Sequence, residues 1–354
     1  MLGQILQKRY KILRLLGEGG MSKVYLAQRL DQPGEAAVKV LHEHLATQQK
    51  IRDHFRREIF IMSRFEHPFA VTLIEADLDG RPPFLAMEYL RGQDLTQVLE
   101  RNKRLTPDRA GRLLGQLCEV LQAAHEQGII HSDLKPANVM ILYPDSPVEQ
   151  VKLMDFGLAR MASLLLIGQT DLINSRHPTA SGTPEYISPE QIRGTEIDRR
   201  CDLYSVGVML YEMLTGRLPF QSTDAETLML SHRDAQPPSF AQLGLGGLVP
   251  PAIEAVVMRC LAKYPEDRFP SAEALAIAYE QALGRKILRS TPAAPARSSG
   301  LVRKLSGEVP VIKTAADRNA ITHQMTASMP ESMALIKLKG FIHDLGGEMV
   351  DTQP

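Results

Sequence analysis

The hydrophobic pattern of the chain changes near Gly92, and this change limits the folds that the chain can adopt. Before that point, short apolar runs alternate with turn residues, which is typical of a small sheet. One segment, His54–Phe65, has helical spacing instead. The predicted strands are Tyr10–Leu16, Val24–Gln28, Glu35–Leu41, Val71–Ala76 and Phe84–Tyr89. The first part of the chain is therefore predicted to be a mostly antiparallel sheet with one helix.

Beyond Gly92 the apolar residues recur mainly at helical spacing. Thr106-Pro107-Asp108 is typical of a helix start, with proline in the first turn, and that helix is predicted to reach Gly128. The later predicted helices are Asp202–Leu214, Ala252–Leu261 and Ala272–Leu283. The predicted fold class is α+β, with a small β-rich lobe over 10–90, a larger mostly helical lobe over 91–284, and Glu88–Leu90 between them.

The composition changes again near Gly284. Arg285–Ser306 contains lysine and arginine but no acidic residue, with much proline, alanine and serine. Residues 285–332 are therefore predicted to form a flexible basic linker. Residues 333–354 are interpreted as a short C-terminal segment or the start of a longer region.

The composition excludes several classes of protein. The chain is 44% hydrophobic and 23% charged, as globular proteins are. Lys+Arg and Asp+Glu both total 41, so nucleic-acid binding through bulk charge is not expected. No apolar run approaches the ~20 residues of a membrane span. The cysteines lie far apart, at 118, 201 and 260, and no secretory signal is evident, so a cytoplasmic location is expected.

The segment His131–Asn138 brings an acid, an amine and a carboxamide into one short loop. Asp133 can orient an acceptor hydroxyl, Lys135 can neutralise a phosphoryl group, and Asn138 can offer oxygen to a divalent metal. Asp155-Phe156-Gly157 follows and adds a charged oxygen ligand. Each residue alone could be an ordinary turn residue. Together, at this spacing, they indicate phosphoryl transfer.

This combination resembles the catalytic core of protein kinases, in particular the eukaryotic-like serine/threonine kinases of bacteria. Gly17–Val24 is similar to the kinase glycine-rich loop, with Ser22 in place of the third glycine, and Ala36–Lys39 is similar to the Val-Ala-x-Lys strand. The resemblance implies a two-lobed protein kinase fold and a kinase domain over 10–284.

The resemblance also implies a nucleotide site. Lys39 would contact the α- and β-phosphates and pair with Glu58. The backbone of Glu88 and Leu90 would bind adenine, beside Met87 as gatekeeper. The expected nucleotide contacts are Leu16, Gly17, Glu18, Gly19, Gly20, Met21, Ser22, Lys23, Val24, Ala37, Lys39, Glu88, Leu90, Asp94 (at the ribose) and Met140. The alternatives are that the glycines form an ordinary hairpin, that Lys39 extends to water, and that the apolar residues only pack in the core.

By the same resemblance, Asp133, Lys135, Lys39 and Glu58 are the expected catalytic residues. The expected metal ligands are Asn138 and Asp155, with ATP and Mg²⁺ as cofactors and Mn²⁺ as a substitute metal. The Asp-Leu-Lys-Pro-x-Asn order and Thr183 favour Ser/Thr hydroxyls of proteins as acceptors, and autophosphorylation is expected. The scaffold residues would be Glu190, Asp202 and Arg268. The oligomeric state stays open.

Two alternatives remain. Ser22 and Ser132 depart from the kinase pattern, which leaves a pseudokinase or nucleotide-binding scaffold as the second hypothesis. A kinase-fold enzyme acting on small molecules is less favoured, because Gly182–Glu190 is similar to the segment that receives protein substrates.

Ser132 stands where the family usually has an arginine that binds a phosphate on the activation segment. We therefore expect activity to depend weakly on phosphorylation of the segment between Leu158 and Ile187. The candidate phosphorylation sites are Thr170, Ser175, Thr179 and Ser181. The substitute phosphate contacts would be Arg160, Arg176 or Arg193.

Overall fold

The computed structural model describes residues 1–155, 160–161 and 184–287. Several predictions lie outside these residues: those for Phe156-Gly157, for Gly182-Thr183, for the four candidate phosphorylation sites, for Arg176 and for the tail beyond Ile287. Of Arg160 only the backbone is described.

The first lobe contains six strands and one helix, and the elements become mainly helical afterwards. The strands are β1 Ile5–Leu6, β2 Tyr10–Glu18, β3 Ser22–Arg29, β4 Glu35–Leu41, β5 Leu73–Asp77, β6 Phe84–Glu88, β7 Gly92–Asp94, β8 Ile129–Ile130, β9 Val139–Leu142, β10 Gln150–Leu153 and β11 Arg160–Met161. The helices are α1 Gln49–Arg64, α2 Leu95–Asn102, α3 Pro107–Glu126, α4 Pro189–Arg193, α5 Arg200–Thr215, α6 Ala225–Asp234, α7 Pro251–Cys260 and α8 Ala272–Leu283.

The first lobe is a six-stranded antiparallel sheet in the order β1-β2-β3-β4-β6-β5. The five predicted strands and the predicted helix are confirmed, with small shifts of their ends. The helix begins at Gln49 rather than His54, and β5 begins at Leu73 rather than Val71. The two-residue strand β1 was not predicted, because it is too short to show a period.

Strand β4 places its side chains alternately on the two faces of the sheet, as the strand period requires. Ala36, Val38 and Val40 are buried in one cluster with apolar side chains of β1, β2, β3 and β6. Ala37 and Lys39 therefore project from the opposite face, where Lys39 meets helix α1.

Helix α5 lies at the centre of the second lobe. Fourteen of its sixteen residues are buried, so it is surrounded by protein rather than amphipathic. It ends at Gly216, whose φ of 72° is the left-handed cap conformation that favours glycine. The helix predicted over Asp202–Leu214 is confirmed, with its ends shifted by one or two residues.

The other three helices predicted in the second lobe, α3, α7 and α8, are also confirmed. Thr106 caps α3 by accepting from the Arg109 N–H at 3.3 Å. Helices α2, α4 and α6 and strands β7 to β11 were not predicted. The strands are only two to four residues long, too short for a period to distinguish strand from helix. None of the described helices is long and apolar enough to cross a bilayer.

Candidate active site

The glycines of the predicted glycine-rich loop lie at the end of β2 and in the turn before β3. Gly17 pairs with Val24 and Glu18 with Lys23, and the Gly19 N–H donates to Ser22 O at 2.9 Å. A Cβ on Gly17 would meet nothing within 4 Å, and one on Gly19 only Ser22 O at 3.8 Å. The packing of the chain therefore does not require glycine at these two positions. Close approach of a ligand is a reason to have it there.

Three charged groups, from β4, α1 and the segment after β10, meet where the two lobes face each other, and this place is called the cleft. The Lys39 Nζ donates to Glu58 Oε1 at 2.7 Å and to Asp155 Oδ1 at 2.7 Å. The Lys39 and Glu58 side chains are 15% and 6% exposed, whereas Asp155 is 46% exposed. Because Lys39 is held by two carboxylates, the alternative of a lysine that extends to water is wrong.

The electrostatics of the three groups follow from burial and from the pairing. Burial alone would lower the pKa of Lys39, but the two carboxylates outweigh it and raise the pKa. Burial raises the pKa of Glu58 to about 7, although Lys39 opposes this. Desolvation also disfavours charge on Asp155, but the Lys39 ammonium outweighs it and lowers the pKa of that carboxyl. Asp155 therefore stays ionised beside the Lys39 ammonium at neutral pH.

The predicted loop brings its three polar residues into direct contact. Lys135 Nζ lies 2.9 Å from Asp133 Oδ2. The Asn138 amide nitrogen donates to Asp133 O at 2.8 Å, while Asn138 itself lies in the 3₁₀ turn Pro136–Asn138. Since the amide nitrogen is used within the loop, the amide oxygen of Asn138 is left as an acceptor. The prediction that these three residues form one cluster is confirmed.

The backbone of this loop is fixed from the centre of the second lobe. Asp202 on α5 accepts from the His131 N–H at 3.0 Å and from the Ser132 N–H at 2.8 Å. Its Oδ2 also lies 2.8 Å from His125 Nε2. Burial disfavours charge on Asp202, but these donors outweigh it and lower its pKa. The fully buried carboxylate therefore holds the loop as an anion.

His131 connects the loop to the residue before Asp155. Its Nε2 donates to Met154 O at 3.0 Å, and its Nδ1 accepts from the Asp133 N–H at 3.3 Å. This role was missed, because nothing in the sequence distinguishes a histidine that bridges two loops from one that fills the core.

The connection between the lobes contains a partly buried ion pair that was also missed. Lys152 Nζ donates to Glu88 Oε1 at 2.6 Å and to Ala70 O at 3.1 Å. The Glu88 N–H donates to Thr72 O at 3.0 Å. Because this N–H is already used, only the carbonyl oxygen of Glu88 remains for the predicted backbone contact with adenine.

The remaining predicted nucleotide contacts differ in burial and bonding. Ala37 is 6% and Leu90 8% exposed. Leu16, Val24 and Met140 are half-buried, as is the gatekeeper candidate Met87. Asp94 caps helix α2 by accepting from the Gln97 N–H at 2.9 Å, so one of its oxygens has a structural task in addition to the predicted contact with ribose.

The donor set fits a small divalent cation that also binds phosphates. Mg²⁺ is usually held by one or two protein oxygens together with substrate phosphates, rather than by a full protein cage. Asn138 offers a neutral oxygen and Asp155 a charged one. The two segments that contain them are joined by a hydrogen bond of 2.9 Å from the Met154 N–H to the backbone carbonyl of Asn138. In the described part of the chain no group of three or more His, Cys, Asp or Glu side chains could hold a metal ion.

Glu190 and Arg268 form a buried bidentate pair, with two N–O distances of 2.7 Å. Arg268 also donates to Ala262 O and Arg200 O, both at 2.9 Å. The predicted contact between Glu190 and Arg268 is confirmed. It joins α4 to the segment before α8.

The comparisons with known proteins agree with this geometry. Residues 10–279 match the family described as protein kinase domain. The serine/threonine-protein kinase pkn3 of Myxococcus xanthus is 37% identical over 307 residues, which cover 86% of this chain and 55% of that protein. The serine/threonine-protein kinase PknB of Mycobacterium tuberculosis is 39% identical over 275 residues, covering 75% of this chain and 42% of that protein. The chain thus spans about half the length of these relatives.

The fold is also similar to a solved structure. The crystal structure of the Mycobacterium tuberculosis PknI kinase domain has a TM-score of 0.61 and 26% identity. The similarity covers 80% of this chain and 99% of that one. Because the family match takes in both lobes and the cleft between them, this chain belongs to the protein kinase domain family.

Proposed function

We propose that this protein is a serine/threonine protein kinase that transfers the γ-phosphoryl group of ATP to protein hydroxyls with Mg²⁺. The proposal is supported above all by the convergence of Lys39, Glu58 and Asp155 in the same cleft as the loop of Asp133 and Asn138. The relatives are named serine/threonine-protein kinases, which favours Ser and Thr over Tyr as acceptors.

Each group has a task in the proposed reaction. Asp133 orients the acceptor hydroxyl and takes its proton late, since phosphoryl transfer passes through a loose transition state that needs little early deprotonation. Lys135, 2.9 Å from Asp133, adds positive charge for the transferring phosphoryl group. Lys39, positioned by Glu58, would hold the α- and β-phosphates. Asn138 and Asp155 would hold Mg²⁺, which supplies charge neutralisation between the phosphates.

Mapping of phosphorylated residues after incubation with ATP and Mg²⁺ tests this function. The wild type is expected to gain phosphate on Ser and Thr residues. Asp133→Asn is expected to slow transfer by about 10²–10⁴-fold, because it removes the proton acceptor. Nucleotide affinity should be retained in this variant. Nucleotide binding without transfer by the wild type would instead support the pseudokinase or scaffold hypothesis.

We also propose that activity depends little on phosphate in the activation segment, because Ser132 has no cationic group. Replacement of Thr170, Ser175, Thr179 and Ser181 by alanine is expected to leave transfer to an added acceptor near the wild-type rate. Initial rates of this variant should be compared with those of wild type preincubated with ATP and Mg²⁺ and of phosphatase-treated wild type. Loss of activity in the variant, with its unfolding curve unchanged, would contradict this proposal.

A further inference from the structure

We propose that Gln191 is a positioning residue. It joins the catalytic loop, His131–Asn138, to the acceptor-side segment through hydrogen bonds that need no phosphate group. The acceptor-side segment is defined here as Pro184–Glu190. The inference rests on the proposed kinase function, and it assigns a regulatory consequence to a side chain outside the predicted site.

A single amide group makes the connection. Gln191 Nε2 donates to Ser132 O at 2.8 Å. Its Oε1 accepts from the Ser188 N–H at 3.0 Å and from the Ser188 hydroxyl at 2.8 Å. Ser188 is fully buried, and Gln191 is half-buried. Because the amide is planar and all three bonds converge on it, the loop and the acceptor-side segment cannot shift independently without breaking at least one of them.

The contact acts on the peptide group that leads into Asp133. The Ser132 carbonyl and the Asp133 N–H belong to the same planar unit. Gln191 holds its oxygen at 2.8 Å, and His131 Nδ1 accepts from its N–H at 3.3 Å. Contacts at both ends of the plane therefore set the direction in which the Asp133 side chain leaves the backbone.

Ser132 itself needs such support. Its φ of 65° lies in the left-handed region, which is unfavourable for a serine, and its N–H is held by Asp202. The Ser132 hydroxyl oxygen is buried and has no hydrogen-bond partner among the residues that the structure describes. The side chain of Ser132 therefore contributes no hydrogen bond to the link; its carbonyl accepts the bond from Gln191.

This arrangement gives the loop a neutral contact that does not depend on phosphorylation. The contact lies at Ser132, where the family usually has an arginine that binds a phosphate on the activation segment. Two of its partners, Ser132 and Gln191, are 59 residues apart in the chain, so the contact forms only when α4 and the loop are both folded. The acceptor-side segment is thereby aligned with Asp133 in the unphosphorylated protein.

Gln191→Glu and Gln191→Met test this role in the phosphatase-treated full chain. Both variants lose the donor to Ser132 O, one with a charge and one without. With histone as the acceptor, kcat is expected to fall about 10- to 100-fold, because a small misplacement of a positioned group costs this much. The KM for ATP should stay within about twofold, since the nucleotide contacts are unchanged.

Gln242→Glu is the matched control. Gln242 makes the same local pair with Ser239, accepting from its N–H at 2.7 Å, and it lies outside the cleft. The control should leave kcat unchanged. An unchanged kcat in both Gln191 variants, or an equal loss with Gln242→Glu, would overturn the inference.

Hydrogen–deuterium exchange decides the inference even if the wild type transfers no phosphate. The backbone amides of residues 129–138 should exchange faster in both Gln191 variants, and those of β2 to β4 should not. Unchanged exchange over 129–138 would refute the link, and faster exchange everywhere would show general destabilisation instead. Absence of transfer by the wild type would refute the proposed function separately.

Discussion

Replacement of Asp155 by asparagine is expected to lower kcat on the order of 10³-fold, because in the proposed reaction it removes a charged group that would hold Mg²⁺ against the transferring phosphates. The substitution also takes away one of the two carboxylates that Lys39 contacts at 2.7 Å. Initial rates at saturating ATP and Mg²⁺ measure the effect. A Mg²⁺ titration should show a higher concentration for half-maximal rate, since a neutral oxygen binds the cation more weakly.

The structure also predicts that Asp155→Asn folds normally. Asp155 has a φ of 63°, and asparagine tolerates the left-handed region better than most residues. Asp79→Asn, at a side chain that is 97% exposed, is the control for the change of charge. If Asp155→Asn kept its rate within about tenfold of the wild type, a difference of about 1.4 kcal/mol in the barrier, the proposed role in metal binding would be wrong.

Replacement of Arg268 by methionine is expected to cost about 3–5 kcal/mol of unfolding free energy, because it leaves the buried Glu190 carboxylate without its partner. The two side chains are 0% and 3% exposed. Arg268→Lys should also be strongly destabilising, since a single ammonium cannot reproduce the bidentate fork and the two further bonds to backbone carbonyls. Urea unfolding followed by circular dichroism gives the values.

Two further variants show which interaction accounts for the loss of unfolding free energy in Arg268→Met. Arg91→Met breaks an exposed pair with Glu35, in which Arg91 is 80% exposed, and should change the unfolding midpoint little. The double variant Arg268→Met/Glu190→Leu should recover much of the stability, because the unpaired buried charge is gone. No recovery would indicate that the packing of the arginine, rather than the charge of Glu190, dominates the cost.

The sequence predicted the parts of the fold that have a clear period or a helix-start signature. Strand β4 and helix α8 were predicted with the correct ends, since an apolar run or a 3.6-residue period extends over each. Short strands such as Val139–Leu142 carry too few residues for either period. Their positions depend on pairing with β7 and β10, which is a tertiary effect.

The site was predictable where residue types are chemically unusual for their setting. A lysine in the apolar strand β4 needs an anion, and Glu58 provides it at 2.7 Å. Gln191, Lys152 and His131 could not be predicted in the same way. Glutamine, lysine and histidine have ordinary surface or core roles, and most of the atoms that these three bind are backbone N–H or C=O groups, which nearly every residue has.

The burial of helix α5 determines where substitutions can be made without moving the loop that contains Asp133. Asp202 holds the loop from a helix with almost no exposed surface, so the geometry of Asp133 is set by the deepest packing of the lobe rather than by its outer faces. Substitutions at solvent-exposed positions of the second lobe can therefore alter charge and partner preference while the loop stays in place. A cavity opened beside α5 would instead displace the loop without touching any residue of the cleft.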